Sequence, residues 1–195
     1  MRLIDFYEIF FPTLWLAWMI TWWVFAINVK TTVRRQPLPS RLLNMVLLWG
    51  AFGLLFVMAP LPWPLNVRFV PFSEWQFWAA FGAALTLVGL LFTVWARVYL
   101  GRNWSGMFAT IKADHELITG GPYALVRHPI YSGLMLAVIG TALAIGQWRG
   151  VFATVLAFIA IVHRMRVEEG FMRAQFGGAY DDYARRVPAF VPGVI

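Results

Sequence analysis

Two short stretches put ionisable side chains where the rest of this chain avoids them. The first is "GPYALVRHPIYSG", residues 121–133, in which Arg127 and His128 stand directly before an apolar run that begins at Pro129. Proline disfavours helical geometry in the residue before it and suits the first helical position, so His128 is predicted at the N-terminal end of a helix. The helix dipole and unpaired N–H groups there favour an anion such as a carboxylate. An arginine snorkelling beside lipid phosphate and a histidine that caps a helix are the competing readings. The second stretch is "HRMRVEEGFMRAQFG", residues 163–177. On a helix, Arg164 and Glu168 lie four apart on one face, with Glu169 turned partly away. That spacing alone suits an ordinary ion pair on a solvated helix. Its place, where an apolar hairpin meets the cytoplasm, makes it a candidate for chemistry.

Other chemistries lack their residues. There is no cysteine, which removes disulfides, thiolate metal sites and a cysteine nucleophile. His115, His128 and His163 are far apart and form no metal-ligand spacing, so no metal is expected. No G-x-S-x-G, P-loop or G-x-G-x-x-G occurs, so a Rossmann cofactor domain is not expected either. The net charge of +7 comes without a basic stripe or a nucleic-acid motif, and no nucleic-acid partner is expected.

The elements that must position these residues are apolar helices. The chain is 61% hydrophobic and 13% charged, where a soluble domain is nearer half apolar and a quarter charged. The excess implies a membrane protein. Uncharged runs cover residues 9–29, 42–62, 75–96 and 129–148, and a fifth run, 150–163, is too short to span alone and is expected to continue as a helix into the charged segment. "GQWRG" at 146–150 makes runs four and five a helical hairpin. The first run lacks a basic leader and a cleavage site, and reads as a retained helix rather than a signal peptide.

Lys30, Arg34, Arg35 and Arg41 follow run one, while the Pro-rich second connection carries one arginine. Arg97, Arg102, Lys112 and Arg127 follow run three, only Arg149 follows run four, and the tail is rich in arginine. This alternation predicts the N-terminus outside, five spans, and the 97–129 loop and the tail on the cytoplasmic side. The fold class expected is therefore all-α and polytopic, with a long cytoplasmic loop and a C-terminal helix. Residues 1–96 are read as N-terminal transmembrane helices and 97–195 as the functional core. The loop is too polar and Gly-rich to face lipid, so its backbone must be covered by protein or water and is available to a polar ligand.

Residues 97–193 resemble the membrane-embedded isoprenylcysteine carboxyl methyltransferases and their short prokaryotic relatives. The resemblance is carried by "NWS" at 103–105, "HELITGGPYALVRHPIYSG" at 115–133, "RMRVEE" at 164–169, "FGGAYDDY" at 176–183 and "RVPAFVP" at 186–192, in that order. It implies S-adenosylmethionine as methyl donor and a lipophilic or lipidated acceptor entering from the bilayer. It implies a donor site of His115, Glu116, Leu117, Ile118, Tyr123, His128, Pro129, Ile130, Tyr131 and Glu168, with Arg164 at the acceptor and Arg164 and Glu168 as the catalytic pair. Much of the "HELI" contribution would be backbone.

The donor's chemistry matches these types. A helix N-terminus with Arg127 and His128 suits its carboxylate, Glu168 its cationic part, and Tyr123 and Tyr131 its adenine or sulfonium. Carboxyl O-methylation of an isoprenylcysteine-like substrate is the first reading. Phospholipid N-methylation and small-thiol S-methylation are alternatives. An NADPH-dependent sterol-reductase-like enzyme, which shares a Pro-Tyr…Arg-His-Pro stretch, and a non-catalytic membrane scaffold are others.

Overall fold

The computed structural model describes residues 3–27, 32–57, 59–104, 110–112 and 116–193. Among these residues six helices carry the fold: α1 (Leu3–Ala26), α2 (Leu38–Phe56), α3 (Trp75–Leu100), α4 (Pro129–Ile145), α5 (Trp148–Phe176) and α6 (Gly178–Arg186). The segments Glu8–Ala26, Leu38–Phe56, Trp75–Leu100 and Trp148–Phe176 are each long and apolar enough to cross a bilayer. Large apolar side chains lie exposed along them, Trp23, Val46, Trp49 and Leu91 among them, as a lipid-facing surface requires.

The fifth run continues through the charged segment as expected, giving a helix of 29 residues. The fourth run is shorter than its sequence suggests. It ends at Ile145 because Gly146 takes a left-handed conformation (φ 62°), which stops the helix and turns the chain into α5. With 17 residues, α4 is about 25 Å long at 1.5 Å per residue, somewhat less than a hydrocarbon core of roughly 30 Å.

It is instead held against α3 over nearly its whole length. Two glycine pairs make this possible. A Cβ on Gly82 would sit 2.3 Å from the Gly140 carbonyl oxygen, and one on Gly89 would sit 2.5 Å from that of Gly133. Bare backbone lets the two helices touch, as small residues do between membrane helices generally. Buried hydroxyls fill the seam: Thr86 Oγ1 donates to Gly82 O at 2.8 Å, and Trp15 Nε1 reaches Thr141 Oγ1 at 3.1 Å. On the other side α5 packs on α2 and α4 around Leu55, Val138, Ala157 and Ile161.

One departure from an all-helical reading is a small antiparallel pairing of β1 (Thr32–Arg35) with β2 (Thr110–Lys112). The β-branched residues of "TTV" and "ATI" favour extended backbone. The pairing ties the first connection to the loop after α3.

Candidate active site

Three pieces of chain meet at one end of the bundle: the turn that leads into α4, the second half of α5, and the segment after α6. Residues Gly121–Ala124 form a single 3-10 turn that lies flat on α3. Gly121 has φ +57°, and a Cβ there would sit 2.5 Å from the Tyr99 ring, so the close approach needs glycine. The turn buries Tyr123, whose carbonyl accepts a 2.6 Å hydrogen bond from Tyr183 of α6. Burial pushes the Tyr183 hydroxyl up to about 12 and that of Tyr123 higher still, so both stay neutral. After α6 the chain runs back alongside: Arg127 N donates to Pro188 O at 2.8 Å, and His128 N to Ala189 O at 3.0 Å.

Within this frame the charged side chains form two linked groups. In the first, Arg127 Nη2 and Nε donate to Glu169 Oε1 at 2.7 and 3.1 Å, and Nη1 donates to the carbonyls of Ala184 and Val187 at 2.9 and 2.6 Å. Four of its five N–H groups are thus engaged. In the second, Arg164 is only 9% exposed, a costly place for a cation unless it is paired. Its Nε donates to the Tyr131 oxygen and lies 3.2 Å from Glu168 Oε1, while the Tyr131 hydroxyl donates to that carboxylate at 2.6 Å. The guanidinium also sits 5.5 Å from the Tyr131 ring centre. His128 joins the groups, with Nε2 3.4 Å from Glu169 and Nδ1 3.8 Å from Glu168, its ring stacked on Tyr131 at 5.6 Å.

Tyr123, Arg127, His128, Pro129, Tyr131, Arg164 and Glu168 therefore converge from segments some forty residues apart. His128 is the N-cap residue of α4 and Pro129 opens the helix, with Ile130 partly buried beside it. The amides of Tyr131 and Ser132 are taken by the His128 carbonyl, so that end offers an anion fewer N–H groups than its sequence suggests. Glu116 is exposed and accepts a hydrogen bond from Asn103 Nδ2 at 3.5 Å. Leu117 and Ile118 are partly buried, and His115 lies outside the described residues.

The residue that the sequence passed over is Glu169. An isolated helix turns it away from Glu168, but here it faces Arg127 and His128 while Glu168 faces Tyr131 and Arg164. A half-buried arginine at 127 needs an acceptor, and the second acid of "VEE" is the signal.

The comparisons bear on these same elements. A model of the phospholipid methyltransferase family matches residues 77–179, from the first turn of α3 into α6. A protein-S-isoprenylcysteine O-methyltransferase B of Arabidopsis thaliana is 27% identical over 155 residues, covering 78% of this chain and 79% of its own length. A protein-S-isoprenylcysteine O-methyltransferase of Schizosaccharomyces pombe is 33% identical over 103 residues, covering 50% of this chain and 42% of that protein. A nickel-cobalt-cadmium resistance protein of Alcaligenes xylosoxydans xylosoxydans is 32% identical over 121 residues, covering 62% of this chain and 55% of that one. The matched span holds α3, α4, α5 and every charged residue of the two groups, and on that match the chain belongs to the phospholipid methyltransferase family, as an integral membrane methyltransferase.

Proposed function

We propose that this protein transfers a methyl group from S-adenosylmethionine to a lipophilic acceptor, with the carboxylate of an isoprenylcysteine-like molecule as first choice. The observation that carries this reading is the Arg164–Tyr131–Glu168 group: a buried cation, fixed from two sides, near the polar end of an otherwise apolar helix. Such a cation suits the carboxylate of a molecule whose remainder stays in lipid. The names of the plant and yeast relatives point to the same chemistry.

The side chains fit the donor unequally. Glu168 and Glu169 suit its cationic part, and the Tyr131 and Tyr123 rings suit adenine or sulfonium. Arg127 is spent on Glu169 and two carbonyls, so in this reading it fixes the walls. His128 and the first turn of α4, at Pro129 and Ile130, would receive the donor's carboxylate. Glu116, Leu117 and Ile118, with His115, would contribute mainly backbone. S-adenosylmethionine supplies an electrophilic methyl group on a sulfonium. Arg164 would orient the acceptor, Glu168 and Tyr131 hold Arg164 in place, and the apolar surroundings exclude water. Positioning and dehydration are the main sources of rate for an in-line displacement. A carboxylate acceptor is already ionised and needs no base.

One observation favours a second reading, an amine or thiol acceptor that must lose a proton. His128, its ring stacked on Tyr131 at 5.6 Å, puts an imidazole that can take a proton within the group that holds Arg164. The product separates the two. A methyl ester releases methanol in mild base, whereas N- and S-methyl products do not. The matched family is one of methyltransferases, which sets the reductase reading aside.

Calorimetric titration tests the donor site. His128→Ala and Glu168→Ala are each expected to weaken S-adenosylmethionine binding about ten- to a hundredfold, as loss of a charge-assisted contact of roughly 1.5–3 kcal/mol implies. The double variant should fall short of the sum if both side chains hold one ligand. Unchanged affinity in both single variants removes the site. The Lys and Arg distribution supports a cytoplasmic donor end with the N-terminus outside. A reporter active only in the cytoplasm should therefore work when fused at residue 195 and fail at residue 1; the opposite pattern inverts the topology.

A further inference from the structure

The opposite end of the bundle holds a second constellation that methyl transfer does not use. The connection between α2 and α3 folds over the α4–α5 turn and, with α1, encloses a cavity of about 650 Å³. Its lining is apolar apart from a few side chains, including Arg68, Arg149, Gln147, Asn66 and Glu8. Arg68 lies over the Phe72 ring at 4.6 Å and donates Nε to Val70 O at 3.3 Å. Its Nη2 is cut off from water and has no acceptor among the described residues. Being closed even to water, that nitrogen is not itself reachable from the chamber, and Arg68 acts on an occupant through the charge of its guanidinium. Arg149 donates Nη1 to Val57 O at 2.6 Å and Nε to Gln147 Oε1 at 2.7 Å. Among the described residues that line the chamber there are two guanidinium groups and a single carboxylate, that of Glu8, a net positive charge.

Beside this chamber lies a shallow trough of about 610 Å³ lined by apolar residues. The two share Phe56 and Val57, and the trough runs on past Gly50, Gly53 and Leu156 between α2 and α5. A Cβ at Gly53 would meet nothing within 4 Å, so the trough floor is open there. A basic chamber beside an apolar trough on a lipid-facing surface has the division of a phospholipid: an anionic head and an acyl chain.

We infer that this end of the bundle binds an anionic phospholipid of the surrounding leaflet, with its headgroup phosphate on Arg68 and Arg149 and one acyl chain along the trough from Phe56 to Leu156. The site is separate from the Arg127–Glu169 and Arg164–Glu168 groups, which lie at the other end of α4, roughly 25 Å away by helix length. A zwitterionic lipid would bring its own cation against two arginines and should bind less well.

Native mass spectrometry and thermal melting of the purified full-length chain test this, using phosphatidylglycerol, phosphatidylcholine and inorganic phosphate as probes. Phosphatidylglycerol should be retained and should raise Tm more than phosphatidylcholine does, and inorganic phosphate should do neither. Arg68→Gln and Arg149→Gln should each weaken phosphatidylglycerol binding about tenfold or more. Gly53→Phe, which fills the trough and leaves both arginines in place, should weaken it as well, while Glu168→Ala should not. Equal retention of the two lipids by the unaltered chain overturns the inference, as does stabilisation by inorganic phosphate alone, which would make the chamber a plain anion pocket. If Arg68→Gln fails to fold, the lipid preference of the unaltered chain and the Gly53→Phe result still decide.

Discussion

At the Gly146 end of the α4–α5 hairpin the arginines bond main-chain carbonyls and an amide side chain, whereas at the His128 end they pair with carboxylates. The Gly146 carbonyl accepts from the amides of Phe69 and Val70, and the amides of Trp148 and Arg149 donate to Val67 and Leu65. At the other end two main-chain bonds to Pro188 and Ala189 are joined by Arg127, which ties α4's approach to α5 and to the close of α6 at once. The first arrangement uses guanidinium groups as donors to the backbone, Arg149 Nη1 to Val57 O and Arg68 Nε to Val70 O. The second makes charge part of the fold, so the residues that shape the candidate site also hold it closed. A polar cluster at a membrane boundary can serve both ends only if every charge is paired, and the opposed faces of Glu168 and Glu169 achieve that.

The sharpest way to break this contrast is to remove its hub. Arg127→Ala removes the closest cation of Glu169 and the donor of two carbonyls, while Arg173 at 3.2 Å and His128 at 3.4 Å still face that carboxylate, and the expected cost is about 1.5–3 kcal/mol. Melting in detergent should show a large drop in Tm. Arg127→Ala with Glu169→Gln should recover part of it, because the carboxylate that has lost its closest cation is gone. A drop no greater than that of an exposed pair, such as Arg185–Asp182, would mean that the backbone bonds suffice there too.

A smaller effect is expected at the opposite end. Gly146→Val forces a β-branched residue to φ 62° and places its Cβ 2.9 Å from Val70 Cβ and Arg68 Nη2. The cost should be about 1–3 kcal/mol of stability. Donor affinity should change less than threefold, since no charged group of the candidate site is touched. A stability loss accompanied by a tenfold loss of donor binding would show that the two ends are not independent.

How much of this was legible depended on how local each feature is. The continuation of α5 past His163, the pairing of Arg164 with Glu168 and the turn at Gly146 all follow from spacing within a few residues, and the structure has all three. The short length of α4 was not visible from apolarity alone, because Gln147 and Trp148 extend the uncharged run beyond the glycine that ends the helix. The β1–β2 pairing joins segments some seventy-five positions apart and has too few residues to show alternation. The partners of Arg127 were hidden for the same reason. The carbonyls of Ala184 and Val187 carry no side-chain signature, and they become acceptors only when α6 folds back over the turn. The glycine seam between α3 and α4 is regular in both helices, seven residues apart in each, but its meaning needs the antiparallel neighbour.

The central claim is that Arg164 serves the methyl acceptor while Glu168 serves the donor, although the two side chains touch. Single-turnover methyl transfer, measured beside calorimetric donor affinity for Arg164→Ala and Glu168→Ala, tests it most directly. The account predicts that Arg164→Ala lowers transfer at least a hundredfold while S-adenosylmethionine affinity stays within about threefold, and that Glu168→Ala loses about tenfold or more in donor affinity. Equal losses of donor affinity in the two variants, or full transfer activity without Arg164, would contradict it.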